Sequence, residues 1–386
     1  MERQHRFNGN TTGFDENESL NRWIIFPWAT DIAAKFGIPR LIFHGTSFFS
    51  LCVLDSLKRY TPHENIKSET ETFILPGLPD KIELMRSQLP YHLKTRSDLG
   101  KLLERVRESK GNCCGVLVNS FYELEPSYAD HYRKVIGRKA WHIGPVSLSN
   151  RDIAYKAQRG NIASIDEHAC LNWLDSKKPN SVLYVSFGSV AHFTDSQLLE
   201  IAMGLEDSGY PFIWVVRSKE EDEQRWMLEG FEERIIGKGL IIRDWAPQVL
   251  ILDHPAVGGF VTHCGWNSML ESVSAGVPMI TWPLFVEQFY NEKLVTQVLR
   301  IGVGVGAHEW SKFGGGREEK AAAVKREDIE KAVEQLMGGG EEAERMRSRA
   351  MELKEMARSA VEGGGSSYID VTALIEELGL HPQPAV

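Results

Sequence analysis

The sequence has little of what a nucleic-acid-binding or membrane-spanning protein needs. Acidic residues outnumber basic ones by 53 to 44, and the formal net charge is −9. Because binding to nucleic-acid phosphates depends on clustered Lys and Arg, this balance argues against a DNA or RNA partner. The longest apolar run, residues 41–54, is interrupted by His44 and Gly45 and falls short of the roughly 20 residues that cross a bilayer. We therefore expect no nucleic-acid partner and no membrane span.

Signals for secretion and for metal binding are also scarce. Residues 1–22 are polar and lack a basic segment followed by an apolar one, the pattern that directs a chain to secretion. The five cysteines are an odd number and show no C-x-x-C spacing of the kind that holds zinc or does redox work. We expect these thiols to be reduced, the protein to be cytoplasmic and no metal to be bound.

The composition and the pattern of the C-terminal half indicate a globular α/β protein. With 386 residues, 42% of them hydrophobic and 25% charged, the chain fits two medium-sized lobes better than one core. Beyond residue 180, apolar runs such as 181–187, 239–243 and 256–262 alternate with helical stretches such as 195–208. Strands that alternate with helices predict a parallel sheet covered on both faces. The first 145 residues show a less regular version of the same pattern.

A candidate ligand site lies where one predicted strand runs into a helix, at T262-H-C-G-W-N-S268. Gly265 allows a close backbone approach, and a helix N-terminus offers free N–H groups and a partial positive charge to a pyrophosphate. Asn267 and Ser268 can add side-chain donors, and Glu271 shares their helix face and can accept from ribose hydroxyls. Asn and Ser are also ordinary first-turn residues, so these residues alone leave open a capped core helix.

A second glycine-rich segment, residues 302–307, matches the G-x-G-x-x-A pattern of dinucleotide-binding turns. In such sites the pattern follows a strand, whereas here it follows a predicted helix. We therefore interpret this segment as a turn and a short strand.

The segment from W245-A-P-Q248 to E287-Q288 resembles the signature of the plant secondary-product glycosyltransferases. V185-S-F-G-S189, F43-H-G-T-S and F26-P-W-A-T-D are similar to other parts of that family. The resemblance implies the α/β GT-B fold, in which two Rossmann-like parallel-sheet lobes face a cleft. It also implies glucosyl transfer from UDP-glucose, a co-substrate and not a cofactor, to a hydroxyl of a small hydrophobic acceptor such as a flavonoid, terpenoid or other phenolic. The transfer inverts the anomeric centre without a metal, and we expect a monomer.

The resemblance also assigns roles to individual residues, which we call the predicted donor residues. Trp245 stacks on the uracil, Ala246 contacts it through the backbone, and Gln248 and Glu271 hold the ribose. The others are His263, Asn267, Ser268 and Ser189 along the phosphates, Gly265 in the same turn, and Trp266, Glu287 and Gln288 at the sugar hydroxyls. In this family a final Gln is usually associated with glucose.

The same resemblance divides the chain into segments. Residues 1–22 are an atypical polar leader, and residues 23–145 are what is present of the acceptor-binding N-terminal lobe, which we expect to be incomplete. Residues 146–365 form the UDP-sugar-binding lobe, and residues 366–386 form a C-terminal helix and tail that pack back toward the N-terminal lobe.

The N-terminal part departs from the family at the catalytic residues. The family's general base is a histidine in a Gly-His loop, and no segment here matches it. The aspartate that orients this histidine lies three residues before Phe-Pro-Trp, a position held here by Trp23. We therefore assign no catalytic residue and expect little turnover from this chain, together with an unpaired apolar strand edge. The alternatives are a competent enzyme that uses another route and a non-catalytic nucleotide-sugar-binding or regulatory protein.

Overall fold

The computed structural model describes residues 28–149 apart from 96 and 112, and residues 165, 167–217, 227, 230–310 and 323–379. Within these residues, the strands are β1 Leu41–His44, β2 Thr72–Ile74, β3 Glu83–Met85, β4 Gly115–Val118, β5 Ala140–His142, β6 Val182–Ser186, β7 Phe212–Val216, β8 Gly239–Arg243, β9 Val257–Thr262, β10 Met279–Thr281 and β11 Gly302–Gly304. The polar leader, Trp23 and the tail from residue 380 lie outside the described residues.

Helices connect these strands and cover the sheets. The α-helices are α1 Trp28–Lys35, α2 Phe48–Tyr60, α3 Tyr91–Lys94, α4 Asp98–Lys110, α5 Pro126–Lys134, α6 Glu167–Asp175, α7 Asp195–Asp207, α8 Phe231–Arg234, α9 Gln248–Asp253, α10 Trp266–Ala275, α11 Gln288–Lys293, α12 Arg326–Met337, α13 Glu341–Val361 and α14 Ser366–Gly379. A π-helical turn, Leu294–Leu299, continues α11. No helix in the described ranges is long and apolar enough to cross a membrane.

The larger sheet has six parallel strands in the order β11-β10-β9-β6-β7-β8. Its central strands β6 and β9 are buried along their whole length. A parallel sheet that helices cover on both faces produces such uninterrupted apolar runs. β11, Gly302–Gly304, is the short strand that the sequence predicts within residues 302–307, and it follows the π-helical turn that continues α11. It lies at one edge of the sheet, and β8 lies at the other.

The smaller sheet has three parallel strands in the order β1-β4-β5. Within the described residues, β1 pairs only with β4, and Phe43 on this strand is 50% exposed. Trp28 and Ile32 on α1 and Phe36 directly after it are exposed as well. The described residues thus expose apolar side chains on β1 and near α1, while the unpaired strand edge stays a prediction.

The last helix, α14, packs against β5 of the smaller sheet. Asp370 on α14 accepts hydrogen bonds from the backbone N–H of His142 at 2.8 Å and from Arg133 at 2.7 Å, and its carboxylate lies 2.8 Å from Nδ1 of His142. Ser367 donates to the carbonyl oxygen of Gly144 at 2.5 Å. Helix α14 is thus hydrogen-bonded to β5 and to the residues that follow it.

Candidate functional site

The predicted donor residues follow strands of the six-stranded sheet or begin its helices. Ser186 of β6 is in register with Thr262 of β9, so the loop after β6 and the turn after β9 start side by side. The carboxyl ends of parallel strands are where open α/β sheets bind ligands. The structure therefore brings Ser189 and the segment from His263 onward to one edge of the sheet.

Gln248, at the start of α9, contacts two other predicted donor residues. Its Nε2 atom donates to Glu271 Oε2 at 2.7 Å and lies 3.2 Å from Ser268 Oγ, both on α10. Tyr184 Oη lies 3.4 Å from Gln248 Oε1 on the other side. This cluster can present several oxygens to the hydroxyls of a ribose.

Trp245, which the resemblance places under the uracil, lies half-buried three residues before this cluster. The guanidinium of Arg217, directly after β7, lies 5.7 Å from the centre of its ring, within the range of a cation–π contact. The cation occupies one face of the indole and leaves at most the opposite face for a base. The sequence analysis did not include Arg217 among the site residues. Its position directly after a parallel strand is the signal that could have identified it. Ala246 is buried beside Trp245.

The imidazole of His263 lies between two glycines. A Cβ atom at Gly188 would lie 2.7 Å from His263 Cε1, and one at Gly265 would meet Nε2 of the same ring. Gly188 also has a φ of +74°, which favours glycine. Gly265 therefore makes room for a protein side chain, in addition to the close ligand approach predicted from the sequence. Burial lowers the pKa of His263 to about 4, so the imidazole is neutral at pH 7.

The N-terminus of α10 begins at this turn, and Gly265 is its N-cap without a side-chain cap. Asn267 is exposed and Ser268 is half-buried in the first turn. Trp266, by contrast, is buried, and its indole N–H donates to the carbonyl oxygen of Asn119 after β4 at 2.7 Å. The indole N–H of Trp266 is thus engaged with the protein, while its predicted contact with the sugar remains a prediction.

Glu287 and Gln288 lie together at the start of α11. The Oε1 atom of Gln288 accepts from the backbone N–H groups of Leu284 at 2.8 Å and Phe285 at 3.0 Å. Only the Nε2 donors of Gln288 then remain for a ligand. Burial raises the pKa of Glu287, because removal from water disfavours the charged form of its carboxyl group.

Backbone strain concentrates beside the predicted donor residues. Asp244, Cys264 and Val286 have φ values of 70°, 63° and 59°, and they stand next to Trp245, His263 and Glu287 in the chain. A β-branched residue such as Val286 rarely adopts this conformation. Strained residues of this kind cluster at ligand sites because the surrounding structure holds them there.

Comparison with known proteins identifies the family. Residues 155–338 match the model of the UDP-glucoronosyl and UDP-glucosyl transferase family. A UDP-glucose flavonoid 3-O-glucosyltransferase of Fragaria ananassa is 60% identical over 356 residues, which are 92% of this chain and 73% of that protein. The chain belongs to this family. A scopoletin glucosyltransferase of Nicotiana tabacum is 56% identical over 360 residues, 93% of this chain and 74% of the relative.

Solved structures agree with this family assignment. A Glycyrrhiza uralensis glycosyltransferase complexed with glycyrrhetinic acid 3-O-monoglucuronide has a TM-score of 0.85 and 47% identity over 92% of this chain and 72% of its own. A Phytolacca americana protein complexed with UDP-2-fluoroglucose and pterostilbene has a TM-score of 0.74 and 30% identity over 92% and 75%. The predicted α/β GT-B fold is confirmed, and the chain is a glycosyltransferase that takes a UDP-sugar as co-substrate. It spans about three quarters of the length of these relatives.

Proposed function

We propose that the chain binds UDP-glucose along the carboxyl edge of the six-stranded sheet. The observation that supports this proposal most is the hydrogen-bonded cluster of Gln248, Ser268 and Glu271, which joins two separate parts of the predicted site. The proposed contacts are the uracil with Trp245 and Ala246, the ribose with Gln248 and Glu271, the diphosphate with Ser189, His263, Gly265, Asn267 and Ser268, and the sugar with Trp266, Glu287 and Gln288.

The diphosphate is held mainly by neutral donors. The neutral imidazole of His263 adds no positive charge at pH 7. The uncapped N–H groups at the start of α10 and the partial positive charge of that helix end then supply the attraction. Among the described residues, no group forms a hydrogen bond with the buried Nδ1 of His263, and a ligand can supply that partner.

The reaction is transfer of glucose to a hydroxyl of a small phenolic acceptor with inversion. The acceptor oxygen forms a bond to the anomeric carbon while the bond from that carbon to the UDP oxygen breaks, and UDP leaves with the electron pair. Relatives at 54–60% identity carry the names of a flavonoid 3-O-, a scopoletin and an anthocyanin 3'-O-glucosyltransferase. These names support a phenolic acceptor for this chain.

We further propose that these 386 residues transfer glucose slowly. The proton of the acceptor hydroxyl needs a base, and general-base catalysis contributes roughly 10² to 10⁴ in rate. The resemblance places the aspartate partner of that base at Trp23 and finds no match for its histidine. A more acidic phenol, which ionises without help, is then the better acceptor.

The test is glucoside formation from UDP-glucose with a series of phenols of decreasing pKa. We expect slow product formation whose rate rises with the fraction of ionised phenol. Fast turnover that does not depend on the acceptor's pKa contradicts the proposed slow transfer. A chain that binds no UDP-glucose contradicts the proposed function as a whole.

We also propose a cytoplasmic monomer. The five cysteines are free, which fits a reducing compartment. The exposed edge at Phe43 is the surface where monomeric behaviour is most at risk. Analytical ultracentrifugation of the wild type and of Phe43→Ser tests the oligomeric state and the role of this edge. A dimer that persists in Phe43→Ser contradicts both. Microscopy of a fluorescent fusion tests the compartment.

A further inference from the structure

Asn291 lies on α11, three residues after Gln288 and outside the predicted donor residues. Its side chain is fully buried. The Oδ1 atom accepts from Ser50 Oγ at 2.8 Å and lies 3.4 Å from Ser47 Oγ, both at the start of α2. The Nδ2 atom donates to the carbonyl oxygen of Cys264 at 2.9 Å. One amide group therefore connects the N-terminal half of the chain to the turn that carries His263 and Gly265.

The carbonyl held by Asn291 belongs to a strained residue. Cys264 has a φ of 63°, a conformation that is strained for a non-glycine residue and persists only where its surroundings hold it. The peptide bond is planar and trans, so the N–H of Gly265 points opposite to the carbonyl of Cys264. By fixing this carbonyl, Asn291 also fixes the direction of the Gly265 N–H.

A second contact holds the other end of the turn. Asn119, directly after β4 of the smaller sheet, accepts the indole N–H of Trp266, and its Nδ2 atom lies 3.3 Å from Asn267 Oδ1. Asn291 thus holds the 264–267 segment at Cys264, and Asn119 of the N-terminal half holds it at Trp266 and Asn267. Asn291 in turn contacts the N-terminal half through Ser50. The conformation of this segment depends on how the two halves pack.

We propose that Asn291 is a positioning residue: it fixes the 263–265 turn for the diphosphate and makes affinity for UDP-sugars depend on the contact with Ser50. This inference rests on the proposed function, because it assigns the diphosphate to that turn. Asn291 itself touches no ligand. It acts through the backbone of Cys264 and Gly265.

The competing explanation is that Asn291 only stabilises the fold. Gln197 provides a matched control, since its buried side chain also makes two hydrogen bonds, to the backbone oxygen of Val324 at 2.8 Å and from its N–H at 3.1 Å. Gln197 lies on α7, away from the turn. Asn291→Ala and Gln197→Ala therefore lose similar interactions at different places.

The experiment measures UDP affinity by titration calorimetry and melting temperature for the wild type and the variants. We expect both Asn291→Ala and Gln197→Ala to melt at lower temperature. Asn291→Ala should bind UDP about tenfold more weakly, because the 263–265 turn loses the hydrogen bonds that hold it in place. Gln197→Ala should bind UDP as the wild type does.

Two milder variants keep the test valid where Asn291→Ala folds poorly. Ser50→Ala removes only the contact with α2 and should weaken UDP binding by roughly two- to fivefold, as loss of one hydrogen bond does. Asn291→Asp keeps the acceptor for Ser50 but sets an oxygen against the carbonyl of Cys264, so it should bind UDP more weakly than Ser50→Ala. Wild-type affinity in all Asn291 and Ser50 variants overturns the inference alone, whereas a wild-type chain that binds no UDP overturns the proposed function too.

Discussion

Gln248 donates a hydrogen bond to Glu271 at 2.7 Å, and this contact joins the start of α9 to the second turn of α10. Both residues are assigned to the ribose by resemblance, yet they are 23 positions apart. Residues that share a hydrogen bond act as a unit, so the loss of one partner already weakens the other. We therefore expect Gln248→Ala and Glu271→Ala each to weaken UDP binding about tenfold, and the double variant by less than the product of the two. Calorimetric titration of the three variants measures this coupling, and strictly multiplicative effects contradict it.

Gln288 offers a prediction about sugar recognition. Gln288→Glu keeps Oε1 for the backbone N–H groups of Leu284 and Phe285 but replaces the Nε2 donors by an oxygen. We expect a melting temperature near that of the wild type, unchanged affinity for UDP and affinity for UDP-glucose reduced about tenfold, the scale of one hydrogen-bonding group. Competition between the two ligands measures this difference. Equal losses for UDP and UDP-glucose indicate that Gln288 does not read the sugar.

Gly188 supports His263, and its substitution should be felt at the diphosphate. Gly188→Ala strains the backbone and places Cβ against the imidazole. Gly209→Ala is the control, because Gly209 has a similar φ of 72° but nothing within 4 Å of an added Cβ. We expect both variants to lose about 1 kcal/mol of stability or more. Only Gly188→Ala should also bind UDP more weakly, and a similar loss in Gly209→Ala would refute the explanation through His263.

Glu125 gives the fold a pH dependence. Its buried carboxylate accepts from the N–H groups of Phe48 and Phe49 and from Ser120, but burial outweighs these bonds and raises its pKa from 4.5 to about 7. A raised pKa means that the folded state binds the proton more tightly than the unfolded state. The contribution is thus complete below pH 4.5 and is lost as the pH rises through about 7.

The Glu125 contribution is at most roughly 3 kcal/mol, and Glu125→Gln should remove its pH dependence. Urea unfolding of the wild type and the variant between pH 5 and pH 8 measures it. We expect the free energy of unfolding to fall with rising pH more steeply in the wild type. Parallel profiles show that another group titrates.

The sequence predicted the six-stranded sheet well for a physical reason. Buried parallel strands are uninterrupted apolar runs between turn residues, and residues 239–243 appear as β8 with those bounds. The helical stretch predicted at residues 195–208 appears as α7, Asp195–Asp207, because helical periodicity over many residues is a strong signal.

Contacts between distant segments could not be read from the sequence. Asn119 contacts Trp266 and Asn267 because the two halves pack together, and Asn291 reaches Cys264 from a separate helix of the same half. No local sequence pattern encodes either contact. Arg217 was missed in the same way, since its partner Trp245 lies on another loop. Trp266 was predicted as a donor residue, but the hydrogen bond from its indole N–H to Asn119, directly after β4 of the smaller sheet, was not predicted.

The binding of UDP-glucose to the 386-residue chain tests the central claim most directly. Calorimetric titration of the wild type should give saturable binding of both UDP and UDP-glucose. Trp245→Ala, which removes the proposed stacking surface, should weaken both at least about tenfold, the scale of a lost base–aromatic stack. A wild-type chain that binds neither ligand, or a Trp245→Ala variant that binds both as the wild type does, contradicts the donor site described above.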